Sequence, residues 1–328
     1  MESDNWIHFI AEEAYQNYKG RKIVLWGKYD ISEKIKIRLE KQYGIKAAFY
    51  VDKNVAKIDN EQVYPTNCLQ GKAKEYYVVI PVAYYQSLKE ELTRGGYIKG
   101  KDYCYFCDCV VKDTSDYYED THGNKIIGPH YGCKWVFSGF NSVVKIGEKT
   151  NLSGSEFYLH NDAEVEVGDN CCITDGTCLI KDGGKLKIGS NFTMDKKCEF
   201  TIGTRTTVII GEDCMFSRHI FLQSHDGHSI FDVRTGENIN STAEMQKNTK
   251  IVIGNHVWIG LRSTILYNTE IGDGSIIGAC SLVKGVIPNN CIAAGNPAKV
   301  IRRDVAWSRN NGAGDLMDHE RVYARLTE

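Results

Sequence analysis

Two histidines three residues apart, His225 and His228, sit in the segment Ser224-His-Asp-Gly-His-Ser-Ile-Phe-Asp-Val-Arg-Thr-Gly-Glu-Asn-Ile-Asn-Ser-Thr-Ala-Glu-Met-Gln-Lys-Asn248. Imidazole titrates close to working pH, which suits it to take a proton from an attacking hydroxyl. Either ring can fill that role by residue type. Asp226 between them is placed to orient one ring, to line a pocket, or to form a turn. The segment holds several turn formers and no apolar periodicity, so it reads as a loop thrown out from a rigid element.

The 328-residue chain carries 40 Lys+Arg against 42 Asp+Glu, a formal charge of −2, and 42% hydrophobic residues. That balance suits a soluble two-domain protein and lacks the basic excess that nucleic-acid binding demands. The opening Met1-Glu-Ser-Asp-Asn-Trp is acidic where a secretion signal is basic. No stretch reaches the ~18–20 apolar residues of a transmembrane segment, so a cytoplasmic location is expected. Twelve cysteines in a reducing compartment read as free thiols, most of them small apolar fillers. Cys104-Tyr-Phe-Cys-Asp-Cys109 has no second cysteine pair at zinc-site spacing.

Residues 21 to about 106 alternate apolar runs with helix-length polar segments: Lys22 to Gly27, Ile31 to Tyr43, Lys46 to Asp52, Tyr76 to Val82, Tyr84 to Leu92 and Asp102 to Phe106. The pattern predicts a Rossmann-like α/β domain over 1–106, with a small parallel sheet covered on both faces. Its first turn after a strand, Gly27-Lys-Tyr-Asp-Ile-Ser32, keeps one glycine of the three that bring a dinucleotide's pyrophosphate to a helix start, which argues against NAD. Asp52 is placed to bind a ribose or to cap the next turn. Residues 107–143 read as a connecting segment, and Leu316 to Leu326, within a tail of 304–328, as a short helix.

From Val144 the texture changes. Ile-Gly or Val-Gly dipeptides begin at Ile146, Val167, Ile188 and Ile210, and Ile253, Ile259, Ile265, Ile271, Ile277 and Val283 fall on a strict six-residue ladder. A period of six fits neither a helix nor a lone strand. It predicts a parallel β-helix with three short flat faces per coil, each sending one aliphatic side chain into the axis. Over roughly 144–303 the sequence resembles the hexapeptide-repeat acyltransferases, and that resemblance implies a left-handed β-helix.

The resemblance sharpens at Gly227-His-Ser-Ile230 followed by Ile253-Gly-Asn-His-Val-Trp-Ile-Gly260, the order seen in bacterial sugar and polysaccharide O-acetyltransferases of this family. It implies direct transfer of an acetyl group from acetyl-CoA to a hydroxyl of a bacterial surface polysaccharide, capsule or lipopolysaccharide, or of its sugar precursor. His228 is favoured over His225 as the base. A homotrimer is also implied, with His228 of one chain working beside Trp258 of the next. Trp258 and Gly260, with Gly278, Ala279 and Ala294, are implied to line the acetyl-CoA arm, and Lys284, Lys299, Arg302 and Arg303 to supply cations for its phosphates. Two functions compete with this one: N-acetylation of a nucleotide-linked amino sugar, and a non-catalytic trimeric scaffold. Zinc held by His219, His225, His228 and His256, as in the β-helical carbonic anhydrases that resemble this fold, is disfavoured by the His-x5-His-x2-His spacing, and no metal is expected.

Overall fold

The computed structural model describes residues 5–53, 63–81, 86–105, 109–111, 115–240, 249–310, 312 and 314–328. The chain divides into two compact units, Met1–Asp108 and Cys109–Glu328. In the first, α1 (Asn5–Asn17), β1 (Lys22–Trp26), α2 (Asp30–Tyr43), β2 (Phe49–Asp52), β3 (Val63–Pro65), β4 (Tyr76–Ile80), α3 (Gln86–Arg94) and β5 (Tyr103–Tyr105) follow in order. The strands form one sheet in the order β3-β2-β1-β4-β5, parallel throughout. Ile23, Val24 and Leu25 of β1 and Tyr77 to Ile80 of β4 are fully buried, as continuous apolar runs covered on both faces must be.

Helix α1 was not expected from the sequence. It packs against α2, β4 and β5 and buries Ile7, Ile10, Ala11 and Ala14, an i, i+3, i+4, i+7 stripe. Between β1 and α2 the chain turns at Gly27, whose φ of 80° and whose closeness to the Tyr29 ring leave no room for a Cβ. Helix α2 ends at Gly44 in the left-handed conformation, with its N–H bonded back to Glu40. The Cys104 to Cys109 run lies partly outside the described residues, while Cys104 itself is a buried residue of β5.

The second unit is a parallel β-helix whose coils run through three faces. The first face stacks Val143–Ile146, Glu164–Val167, Lys185–Ile188, Thr207–Ile210 and Lys250–Ile253 in parallel register. The second holds short strands, among them Thr193–Met194, Met215–Phe216, Trp258–Ile259 and Ile276–Ile277. The third stacks Glu156–Leu159, Thr177–Ile180, Glu199–Ile202 and Phe221–Gln223. All six ladder residues, Ile253 to Val283, are at most 1% exposed, so each face contributes one inward aliphatic group per coil. Cys171, Cys178, Cys198, Cys214 and Cys291 join the same apolar core.

Corners between the first and second faces take left-handed backbone at Lys149, Asn170, Asn191, Asp213 and His256. Asn and Asp tolerate that region better than most side chains, which explains part of the polar texture beside each aliphatic position.

The coils begin earlier than the ladder suggests. Lys125–Ile127 and Lys134–Phe137, in the stretch read as a connector, pair in parallel with Val143–Ile146 and Glu156–Leu159. Trp135 and Phe137 are buried in the axis there, and Ile127-Gly128 stands 19 residues before Ile146, off the spacing of the later coils. At the far end Ile292–Gly295 is covered by an antiparallel strand, Ala298–Arg302. The tail beyond it differs from the expected helix. A single 3-10 turn at Arg321–Tyr323 interrupts a segment that lies along the corners, with Trp307 and Glu320 buried. Among the described residues no helix is long and apolar enough to cross a membrane.

Candidate active site

The strands of the third face deliver the histidine loop. Lys181, Gly203 and His225 each follow a strand of that face, so continuing the register stacks them on successive coils. Gly203 has no side chain, and the His225 ring lies over it: a Cβ there would come 2.6 Å from His225 Cβ and 3.0 Å from its Cγ. Ser224 locks the approach. Its Oγ accepts the Gly203 N–H at 2.9 Å and lies 2.5 Å from Thr206 Oγ1, whose hydroxyl also reaches the Gly203 carbonyl at 3.0 Å.

His225 is 9% exposed, and its Nδ1 is 2.8 Å from the backbone oxygen of Asp226. A carbonyl only accepts, so Nδ1 carries the proton and Nε2 presents its lone pair. That Nε2 is buried without a hydrogen-bond partner among the described residues. Burial holds the ring's pKa below the ordinary imidazole value, and the Lys181 ammonium pushes the same way.

The same pocket is lined by Lys181, Thr204, Asp226, His228 and Asn240. His228 is exposed on its rim. Asn240, which sequence reasoning missed, pins the loop: its Nδ2 donates to Asp226 Oδ2 at 3.0 Å and to the His228 carbonyl at 2.8 Å, while its Oδ1 accepts the Ile230 N–H at 2.7 Å. Asp226 therefore lines the pocket. Its backbone carbonyl, and not its carboxylate, is what orients His225.

The other two histidines of the metal alternative go elsewhere. His219 forms a left-handed corner. His256 is buried, with Nδ1 2.7 Å from Asp213 Oδ2 and Nε2 3.0 Å from the Trp307 oxygen, its ring stacked 4.0 Å from that of Trp307. No group of three or more metal-ligating side chains converges among the described residues.

A second edge collects most of the expected coenzyme positions. Gly260, Gly278 and Ala294 stack on successive coils just past the second face. A Cβ on Gly260 would lie 2.6 Å from the Ala279 nitrogen, and one on Gly278 would lie 2.8 Å from Ala294 Cβ. Lys299 pairs with Ala294 across the antiparallel strand and is exposed, as are Arg302 and Arg303. Lys284 is on the third face, leaning on the Tyr267 ring at 4.1 Å, and so lies apart from this edge. Trp258 points outward from the second face, 38% exposed and tilted against Trp307 at 5.9 Å. Within one chain, Trp258 and His228 stand on different faces of the prism.

Substituting Gly203 tests the support beneath His225. Gly203→Ala is expected to lift the His225 ring into solvent, and its titration, followed by NMR, then moves up toward the ordinary imidazole value near ~6.5. An unchanged titration contradicts the role given to Gly203.

The second unit is thus a parallel β-helix with a pocket lined by two histidines at one corner and a glycine-walled edge at another. Residues 250–285 match the bacterial transferase hexapeptide family (six repeats). The chain is 31% identical over 156 residues to a polysialic acid O-acetyltransferase of Escherichia coli, covering 47% of this chain and 48% of that protein. It is 30% identical over 173 residues to a polysialic acid O-acetyltransferase of Neisseria meningitidis, covering 52% of this chain and 77% of that protein. The crystal structure of the polysialic acid O-acetyltransferase OatWY superposes with a TM-score of 0.52 at 27% identity, over 56% of this chain and 86% of that one. The chain thus spans about half the length of the first relative and about three quarters of the second. It belongs to the hexapeptide-repeat transferase family.

Proposed function

We propose that this protein transfers an acetyl group from acetyl-CoA to a hydroxyl of a bacterial surface polysaccharide or its sugar precursor. The observation that carries the reading is the pocket that His225 and His228 both line, with the exposed His228 ring on its rim. His228 takes the proton from the hydroxyl as that oxygen attacks the thioester carbonyl, a backbone amide steadies the oxyanion, and the CoA thiolate leaves directly. The loop motif and the coil motif support His228. One observation favours the alternative base: the Asp226 carbonyl already fixes His225 in the tautomer a base needs.

Acetyl-CoA would lie along the wall of Gly260, Gly278, Ala279 and Ala294, with Trp258 beside the thioester and Lys299, Arg302 and Arg303 near the phosphates. Lys284 would serve from the neighbouring face. A homotrimer would bring Trp258 of one copy to His228 of the next. A left-handed wind of the coils and a Rossmann-like character for the N-terminal sheet belong to the same proposal. Incubation with acetyl-CoA, a panel of bacterial glycans and a thiol reagent tests it. Acceptor-dependent release of CoA is expected, and no release across a broad panel favours the scaffold instead.

A further inference from the structure

We infer that the pocket selects an anionic acceptor, with Lys181 as the residue that recognises a carboxylate-bearing sugar. The inference rests on the transferase reading above and names its substrate class. Several lysines of these coils are neutralised by an acidic neighbour: Lys134 by Glu156 at 3.2 Å, Lys185 by Glu164 at 2.9 Å, Lys187 by Glu166 at 3.1 Å and Lys196 by Asp175 at 3.6 Å. Lys181 has no such partner among the described residues and is the lysine that lines the histidine pocket. The coil above it offers Gly203, and the next offers His225, so its side chain meets the pocket across a bare rung.

Asp182, the next residue, and Asp226, in the same pocket, are already engaged. Asp182 accepts the Asn161 N–H at 3.1 Å and its Nδ2 at 2.9 Å, and Asp226 Oδ2 accepts from Asn240. Among the described residues no carboxylate forms an ion pair with the Lys181 ammonium, although the residue is partly buried. An anion brought into the pocket by a ligand would meet in Lys181 a cation with no competing ion pair, and could make a charge-assisted hydrogen bond to it.

Electrostatics at the base points the same way. A proton taken up in this pocket meets the Lys181 charge, which disfavours the imidazolium. An acceptor carboxylate on Lys181 cancels that repulsion when the hydroxyl must give up its proton. The Thr204 and Ser229 hydroxyls line the same space and are available to a carboxylate or to sugar oxygens.

A phosphate of CoA is the other anion that could satisfy Lys181, so the experiment separates the two. Calorimetry on the full chain without acetyl-CoA measures binding of sialic acid and galacturonic acid oligomers, each beside its carboxyl-reduced form, and separately of CoA. Wild type is expected to bind an acidic oligomer about 10–100-fold more tightly than its reduced form. Lys181→Met loses that preference with CoA affinity unchanged, and Lys181→Arg restores it, which also guards against a misfolded variant. Equal binding of acidic and reduced oligomers, absence of binding to either, or a Lys181→Met defect confined to CoA overturns the inference. Selective binding of acidic oligomers without CoA release from acetyl-CoA would instead overturn the transferase reading and leave Lys181 as an anion site.

Discussion

His228→Ala is expected to lower the turnover of acetyl transfer by about 10²–10⁴-fold while leaving the protein folded. The ring is exposed, and the loop is held through the His228 backbone carbonyl, which accepts from Asn240 at 2.8 Å. Alanine keeps that bond. It also keeps the Asp226 to Asn240 contact and the His225 to Asp226 contact, so the pocket retains its shape. The loss should appear in kcat, with KM for acetyl-CoA and glycan nearly unchanged, because the proton is held by the base only as the transition state forms. Steady-state kinetics with far-ultraviolet circular dichroism as the folding control reads both quantities. Near-normal turnover, with His225→Ala inactive, moves the role of base to His225. That ring already carries its proton on Nδ1, but its Nε2 is buried and would have to be uncovered to reach a hydroxyl.

The distribution of what the sequence revealed follows from where each signal is stored. Ile253 to Val283 announce the prism because a coil of three flat faces demands an aliphatic group at a fixed interval, and all six are buried as that demand requires. His225 and His228 were visible because two imidazoles in a turn-rich break in the repeat stand out by type. Gly203, Lys181 and Asn240 were not. Gly203 lies under the His225 ring and donates its N–H to Ser224, 21 residues further along, so its meaning exists only once the coils are stacked. Asn240 looked like any loop asparagine until its amide was found bridging Asp226 and His228. The first coil hid because its Ile127-Gly128 stands 19 residues before Ile146, off the spacing of 21 to 22 that links the later dipeptides. In the N-terminal unit the alternation of apolar runs was enough to predict the parallel sheet, whereas the stripe of α1 is short, half alanine, and blurred by the apolar Trp6 and Phe9 beside it in sequence.

The tail gave the weakest sequence signal and carries the second large effect. Arg309→Ala is expected to destabilise the second unit by about 3–5 kcal/mol, because it strands a buried carboxylate. The Arg309 guanidinium donates from Nε to Asp213 Oδ1 at 2.6 Å, from one terminal nitrogen to Thr193 Oγ1 at 2.8 Å, and from the other to the Asp213 and Cys214 carbonyls at 2.9 and 2.8 Å. Asp213 accepts on its other oxygen from His256, whose ring is clamped between Trp307 and Tyr323. Burial pushes the Asp213 carboxyl up, but the His256 hydrogen bond and the Arg309 charge outweigh it and hold the pKa below the ordinary carboxylate value. A depressed carboxylate contributes stability above its unfolded pKa of about 4 and loses it as pH falls through the lower native value. The gap between wild type and Arg309→Ala should therefore be widest near neutrality and shrink in acid. Urea unfolding across that range, with limited proteolysis of 304–328, measures it. Because Trp307 supports Trp258 at 5.9 Å, loosening the tail should also weaken acetyl-CoA binding. A variant as stable as wild type at pH 7, with its tail still protected, would show that Arg309 is not what fastens this segment to the coils.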